Sequence, residues 1–137
     1  SGAIILDNTY NAAPDSIRSS LYTLSDLRQK GARTIAVIGD MLELGAFSEE
    51  AHREIGNLVN KTNVDLLVTI GENSKFIGEE SRLRAWRHYS NTLDAVRYLL
   101  LELHKDDIVM MQGSRVMRLD TVVEALEKGG IDFAPEQ

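Results

Sequence analysis

The chain has no cysteine. Disulfide cross-links, thiolate nucleophiles and every zinc site that relies on sulfur are therefore excluded. That is compatible with a reducing compartment, and a cytoplasmic location is expected. No apolar stretch approaches the ~20 residues that a membrane-spanning helix needs, and no signal-peptide pattern opens the chain; no membrane insertion is expected. There is no basic excess either. Fifteen Lys and Arg face 21 Asp and Glu, for a net charge of −6. Nucleic-acid binding normally leaves a basic footprint, so a nucleic-acid partner is not expected. Three phosphate or nucleophile motifs are also missing. No G-x-x-x-x-G-K-[ST] loop exists to cradle a triphosphate, no G-x-G-x-x-G follows the first apolar run, and no G-x-S-x-G elbow is present. The histidines His52, His88 and His104 are scattered and lack metal-ligand spacing, so a surface role is expected for them and no metal site.

What remains has the composition of a folded domain. At 137 residues, with 43% hydrophobic and 26% charged positions, the chain is the size of one core. Apolar runs alternate with helix-period segments. Ala3–Leu6, Thr34–Ile38, Asp65–Ile70, Ala85–Tyr89 and Ile108–Met111 read as strands. Between them, Ile17, Leu21, Leu24 and Leu27 recur at helical spacing, as do Ile55, Leu58 and Val59. A short helix is expected over 74–81. Leu93, Val96, Leu99, Leu100 and Leu103 form the stripe of another, and Leu119, Val122, Val123 and Leu126 that of the last. Pro14 suits a first helical turn, Ser48 reads as a helix N-cap with Glu49 and Glu50 behind it, and Asn91 or Thr92 caps the helix that follows. Gly31 and Gly129-Gly130 read as helix stops. Continuous rather than alternating apolar strands imply burial on both faces. Strands separated by single helices imply βαβ units. The expectation is one α/β domain over 1–137, three-layered and Rossmann-like, with a mostly parallel sheet and a tail, Phe133–Gln137, that frays. The opening Ser1-Gly2 has the form of a tag remnant, though it could equally be native. With a strand directly behind it, it predicts a domain excised from a longer protein.

In an open α/β sheet, ligands bind beyond the carboxyl ends of the strands. Here those ends read Asp7-Asn8-Thr9-Tyr10-Asn11, Gly39-Asp40-Met41-Leu42-Glu43-Leu44-Gly45, Gly71-Glu72-Asn73 and Gly113-Ser114-Arg115. Glycines admit close backbone approach, carboxylates and amides bind hydroxyls and amines, and Arg115 can fork onto a carboxylate or phosphate. Each segment alone can equally be turn chemistry. Composition and pattern stop at a nucleotide- or small-molecule-binding α/β domain.

Particular residues go further. Asp7-Asn8-Thr9-Tyr10-Asn11-Ala12-Ala13-Pro14-Asp15-Ser16 resembles the signature that opens the C-terminal domain of the Mur ligases, in the form used by their MurF branch. Ile38-Gly39-Asp40-Met41-Leu42-Glu43-Leu44-Gly45, followed by Ser48 and His52, resembles a second hallmark of that branch. Gln112-Gly113-Ser114-Arg115, with Leu119 and Val122-Val123-Glu124-Ala125-Leu126 behind it, resembles the family's K-G-S-R…V-V-x-A-L ending. The likeness covers about residues 4–127.

The resemblance implies the third domain of a three-domain, ATP-dependent amide ligase of peptidoglycan precursor synthesis. In that family the P-loop and the Mg2+ ligands lie in a central domain and the UDP-sugar site in an N-terminal one. The reaction it implies joins D-Ala-D-Ala to UDP-MurNAc-tripeptide through an acyl phosphate. The third domain closes over ATP and positions the amine, with no catalytic residue of its own. Carried over residue by residue, Asp7, Asn8, Tyr10 and Asn11 would meet the nucleotide, and Asn11, Ser114 and Arg115 the dipeptide. Asp40 and Glu43 are loop candidates. Asn8 stands where the branch usually carries the ribose-binding carboxylate, Ala13 where it carries Asn, and Gln112 where it carries Lys. The alternatives are another amide ligase of the superfamily (MurE-like, or similar to folylpolyglutamate or cyanophycin synthetases), a non-catalytic binding module, and a degenerate ligase kept as a regulator.

Overall fold

The alternating pattern folds, in a computed structural model, into a sheet sandwiched between two layers of helices. The structure describes residues 3–7, 13–113, 118–128 and 132–135. In chain order the elements are β1 (Ile4–Asp7), α1 (Pro14–Gln29), β2 (Thr34–Gly39), a 3-10 turn (Gly45–Phe47), α2 (Ser48–Thr62), β3 (Leu66–Ile70), α3 (Lys75–Ser81), β4 (Trp86–Tyr89), α4 (Thr92–Glu102), β5 (Ile108–Gln112), α5 (Leu119–Lys128) and β6 (Asp132–Pro135). The sheet order is β4-β3-β2-β5-β1-β6. Every described pairing is parallel. The expected α/β class and parallel sheet are thus found.

Period-two alternation within the strands feeds two separate cores. Ile35, Val37, Val109 and Met111 face one side, where they pack with Ala95, Leu99, Val122 and Leu126 of α4 and α5. Ala36, Ile38, Ile108 and Met110 face the other and meet Ile17, Leu21 and Leu24 of α1, Ile55 and Val59 of α2, and Ile77 of α3. Every residue of β2, β3 and β5 is buried, as continuous apolar runs require. Each large side chain so buried contributes about 1.5–3 kcal/mol. The edge strand β4 is only partly covered. It is held by Trp86, whose indole occupies the space where a Cβ on Gly78 would stand.

Local signals mostly act as their chemistry predicts. Pro14 opens α1, and Asn91 caps α4 by accepting from the Asp94 N–H at 3.0 Å. Three expectations are corrected. Ser48 is the first residue of α2 rather than its cap, because the 3-10 turn at Gly45–Phe47 runs straight into the helix. The tail does not fray at 132–135: it forms β6, in register with β1 from Ile4 opposite Asp132 to Asp7 opposite Pro135. Proline is tolerated there because β6 is an edge strand. Third, His52 is fully buried, whereas His88 and His104 are exposed as expected. The helix stop at Gly129-Gly130 and the opening Ser1-Gly2 lie outside the described residues.

Candidate functional site

The helix layers locate the crevice. β1 leads to α1 and β2 to α2 on one face, while β5, which lies between β1 and β2, leads to α5 on the other. Neighbouring strands that send their chains to opposite faces part at their carboxyl ends, and ligands of open α/β sheets bind there. The registers level those ends: Asp7 lies beside Met111, and Ile38 beside Gln112. Three of the singled-out segments therefore leave one sheet edge side by side. Asn8, Tyr10 and Asn11, which follow β1 in sequence, lie outside the described residues, as do Ser114 and Arg115, which follow Gly113. Asp7 is the last residue of β1.

The floor between β2 and β5 is tight. A Cβ on Gly113 would stand 2.6 Å from Leu119 Cδ1 and 3.1 Å from the Gly39 Cα. A side chain here would have to displace Leu119 and press on the β2 backbone. Gln112 ends β5 fully buried, level with Ile38, so the residue at the family's lysine position lies inside the sheet.

Asp40 is committed to the protein. The residue is 5% exposed, and its carboxylate accepts three backbone N–H groups from the loop after β3: Glu72 at 3.1 Å, Asn73 at 3.0 Å and Ser74 at 2.7 Å. A carboxylate so ringed satisfies donors that have no other partner as the chain turns into α3. Gly71, at φ +118°, lies directly against that carboxylate, where a side chain would collide. Asp40 thus ties the loop after β2 to the loop after β3.

The β2–α2 loop is pinned a second time. The Met41 N–H donates to His52 Nε2 at 3.0 Å, and His52 Nδ1 lies 2.6 Å from the Ser48 carbonyl. The imidazole therefore carries its proton on Nδ1, accepts at Nε2 and bridges the loop to the first turn of α2. This is why it is buried. The sequence signal was present: Ser48 and His52 are four apart on one helix face, immediately after the Asp40 segment. Glu43 stands exposed in the same loop with a left-handed backbone, φ +63°.

A second cleft, of about 400 Å³, lies beyond β3 and β4 and is lined by Gly71–Asn73, Lys75, Phe76, His88 and Ser90. Of these, His88 is tied inward: its Nδ1 lies 2.8 Å from Thr69 Oγ1, to which Trp86 Nε1 donates at 2.9 Å. Partial desolvation of the ring, although the residue is exposed, lowers the His88 pKa below its ordinary value, and nearby Lys75 adds to that; Asp40, the Gly71 backbone and Glu79 oppose it. Among the described residues no group of His, Asp and Glu could hold a metal ion, and no helix is long and apolar enough to cross a membrane.

A parallel α/β sheet with a switch point at β1, β5 and β2 is of Rossmann-like type. The chain belongs to the Mur ligase, glutamate ligase domain family, whose model matches residues 1–115. It is 30% identical over 130 residues to a UDP-N-acetylmuramoyl-tripeptide–D-alanyl-D-alanine ligase of Bacillus subtilis, covering 92% of this chain and 28% of that protein. With the Haemophilus influenzae enzyme of the same name the identity is 32%, over 90% and 27%. Among solved structures, the MurF ligase of Thermotoga maritima in complex with ADP is 28% identical with a TM-score of 0.77, covering 93% of this chain and 29% of that one. An Acinetobacter baumannii MurF, at 23% identity and a TM-score of 0.77, shares the fold. The chain thus spans under a third of the length of the relatives it matches.

Proposed function

We propose that this chain is the C-terminal domain of an ATP-dependent amide ligase that joins D-Ala-D-Ala to UDP-MurNAc-tripeptide in the cytoplasm, through an acyl phosphate. The whole protein would carry the UDP-sugar site, the P-loop and the Mg2+ ligands in two further domains. One observation carries the reading. The segments beginning at Asp7 and at Gly113 leave adjacent strands at a switch point, in a fold shared with a MurF ligase that holds ADP.

The chemistry assigns this domain a definite task. A carboxylate is a poor electrophile until its oxygen becomes a leaving group, and the activated acyl group must be kept from water. A domain that closes over the site does both the shielding and the positioning. Asp7, Asn8 and Tyr10 would hold the nucleotide. Asn8 would bind a ribose hydroxyl without the charge assistance of a carboxylate, at a cost of roughly 1 kcal/mol. Asn11 and Ser114 would orient the dipeptide, with Arg115 forked onto its carboxylate. The absence of a side chain at Gly113 lets the end of β5 lie close against Gly39 and Leu119 beneath the site.

The test is phosphate release by the full-length protein, given MgATP and UDP-MurNAc-tripeptide with and without D-Ala-D-Ala. Release that requires the dipeptide is the expected result. Release with a different amine only would move the chain to another ligase of the superfamily. Failure to bind ATP in a folded protein would favour the degenerate-ligase reading, to which Asn8, Ala13 and Gln112 lend support.

A further inference from the structure

The loop between β2 and α2 shows two large apolar side chains to solvent. Leu42 is 42% exposed and Phe47 71%. Loops usually hide such groups or hold them loosely, and this one does neither. Asp40 anchors its start through three N–H groups, and His52 holds Met41 from beneath. Leu44 packs into the core, and its carbonyl accepts the Phe47 N–H at 3.1 Å. Two left-handed positions, Glu43 and Gly45, shape the backbone between them. The backbone that carries both side chains is therefore held in place, so less ordering remains to be done on meeting a partner.

The surroundings define that partner. Phe47, Glu50, Ala51 and Glu54 line a depression of about 280 Å³, and Glu43 stands exposed in the loop that holds Leu42. Arg53, the nearby cation, is engaged by Glu49, Glu79 and Glu80. This stretch of surface combines apolar Leu42, Phe47 and Ala51 with acidic Glu43, Glu50 and Glu54, so it fits a surface that combines apolar with basic side chains. The loop leaves the carboxyl end of β2, the edge on which the crevice opens. More than two thirds of each relative's length lies outside the region this chain matches.

We propose that Leu42 and Phe47 form a preorganised docking surface for the nucleotide-binding domain of the same polypeptide, engaged when the domains close over ATP. This rests on the ligase reading, in which a nucleotide shared between two domains is held at this edge. The partner patch would carry an apolar side chain flanked by Lys or Arg.

The test uses the full-length protein and the double variant Leu42→Ser/Phe47→Ser. Leu101→Ser, at an 86% exposed position on α4, is the control. Dipeptide-dependent phosphate release, X-ray scattering with and without a non-hydrolysable ATP analogue plus UDP-MurNAc-tripeptide, and mass by light scattering are read on all three proteins. The expected result is a kcat at least tenfold lower for the double variant, with loss of the ligand-induced decrease in radius of gyration, while the control stays within twofold of wild type. A double variant that keeps wild-type kcat and still compacts overturns the docking surface and leaves the ligase reading intact. Conversion of a wild-type dimer to a monomer by the double variant also overturns it, and assigns the patch to a second copy. A wild-type protein with no dipeptide-dependent release refutes the ligase reading, and the docking surface falls with it. Unchanged circular dichroism and melting temperature in the double variant separate these outcomes from misfolding, as expected for side chains outside the core.

Discussion

Asp40 provides a sharp test, because its neighbours separate a structural carboxylate from a ligand-binding one. In Asp40→Ala three backbone N–H groups lose their acceptor. The Ser74 amide is fully buried and bears the whole loss; those of Glu72 and Asn73 lie nearer solvent and regain water. With hydrogen bonds to a charged group at about 1.5–3 kcal/mol and the outer two discounted, the cost is about 3 kcal/mol. For a domain of 137 residues that lowers the melting temperature by about 10 °C. Asp40→Asn keeps one oxygen for Ser74 and Asn73, but turns an N–H toward the Glu72 N–H. The expected cost is about 1.5 kcal/mol, or about 5 °C. Thermal melts and urea midpoints of the three proteins measure both steps. Equal losses for Asn and Ala, or an Ala variant within 3 °C of wild type by that ~10 °C scale, would refute the network. In the full-length protein Asp40→Asn should leave the KM for ATP within twofold. A tenfold rise at unchanged melting temperature would mean that the carboxylate serves a ligand.

Gly78→Ala gains helix propensity of about 1 kcal/mol. It also places a Cβ 1.8 Å from Trp86 Cε2, so a net loss of at least 2 kcal/mol is expected. A Trp86→Leu partner should relieve part of it, giving a coupling above 1 kcal/mol in the double-mutant cycle. His52→Leu should cost about 2 kcal/mol and speed hydrogen exchange at the Met41 amide, since no acceptor replaces Nε2; unchanged exchange there would remove the pin. His88 has a folded pKa below the unfolded 6.5, so the unfolded chain binds the extra proton first. Its contribution is complete above about pH 6.5 and is lost as pH falls toward the folded value. Melts from pH 8 to 5 should show that loss shallower in His88→Gln, and identical slopes would exclude it. Arg115→Ala in the full-length protein should raise the KM for D-Ala-D-Ala more than that for ATP, and equal rises would take Arg115 out of the dipeptide site.

Local chemistry was readable in the sequence where its causes are local. The apolar runs at Thr34–Ile38 and Ile108–Met111, Pro14 at a helix start and Asn91 at a cap all depend on near neighbours. What escaped depends on distant partners. Asp132–Pro135 has little strand character and becomes β6 because β1 offers an open edge. His52 reads as an ordinary polar helix residue until the loop after β2 folds back over it. The motif after β2 marked Asp40 as a candidate, but its three donors come from residues 32–34 positions away. Only the fold reveals that its carboxylate is already engaged. The departures at Asn8 and Gln112 were visible as letters, whereas the burial of Gln112 required the sheet.

The position of β1 has a consequence for how the domain is made. Strands β2, β3 and β4 are consecutive in the chain and adjacent in the sheet, so they can assemble locally. β1 is synthesised first, yet its neighbours are β5, more than a hundred residues later, and β6. The strand that leads into the proposed nucleotide loop therefore cannot pair until β5 has been made, and its pairings close the longest loops of the sheet. A nascent chain arrested before Ile108 would hold a formed β2–β4 sheet beside an orphaned β1 edge exposed to aggregation. Any ligand gripping the ends of β1 and β5 would join parts of the domain more than a hundred residues apart in sequence, so its affinity would be felt first in resistance to unravelling at that seam.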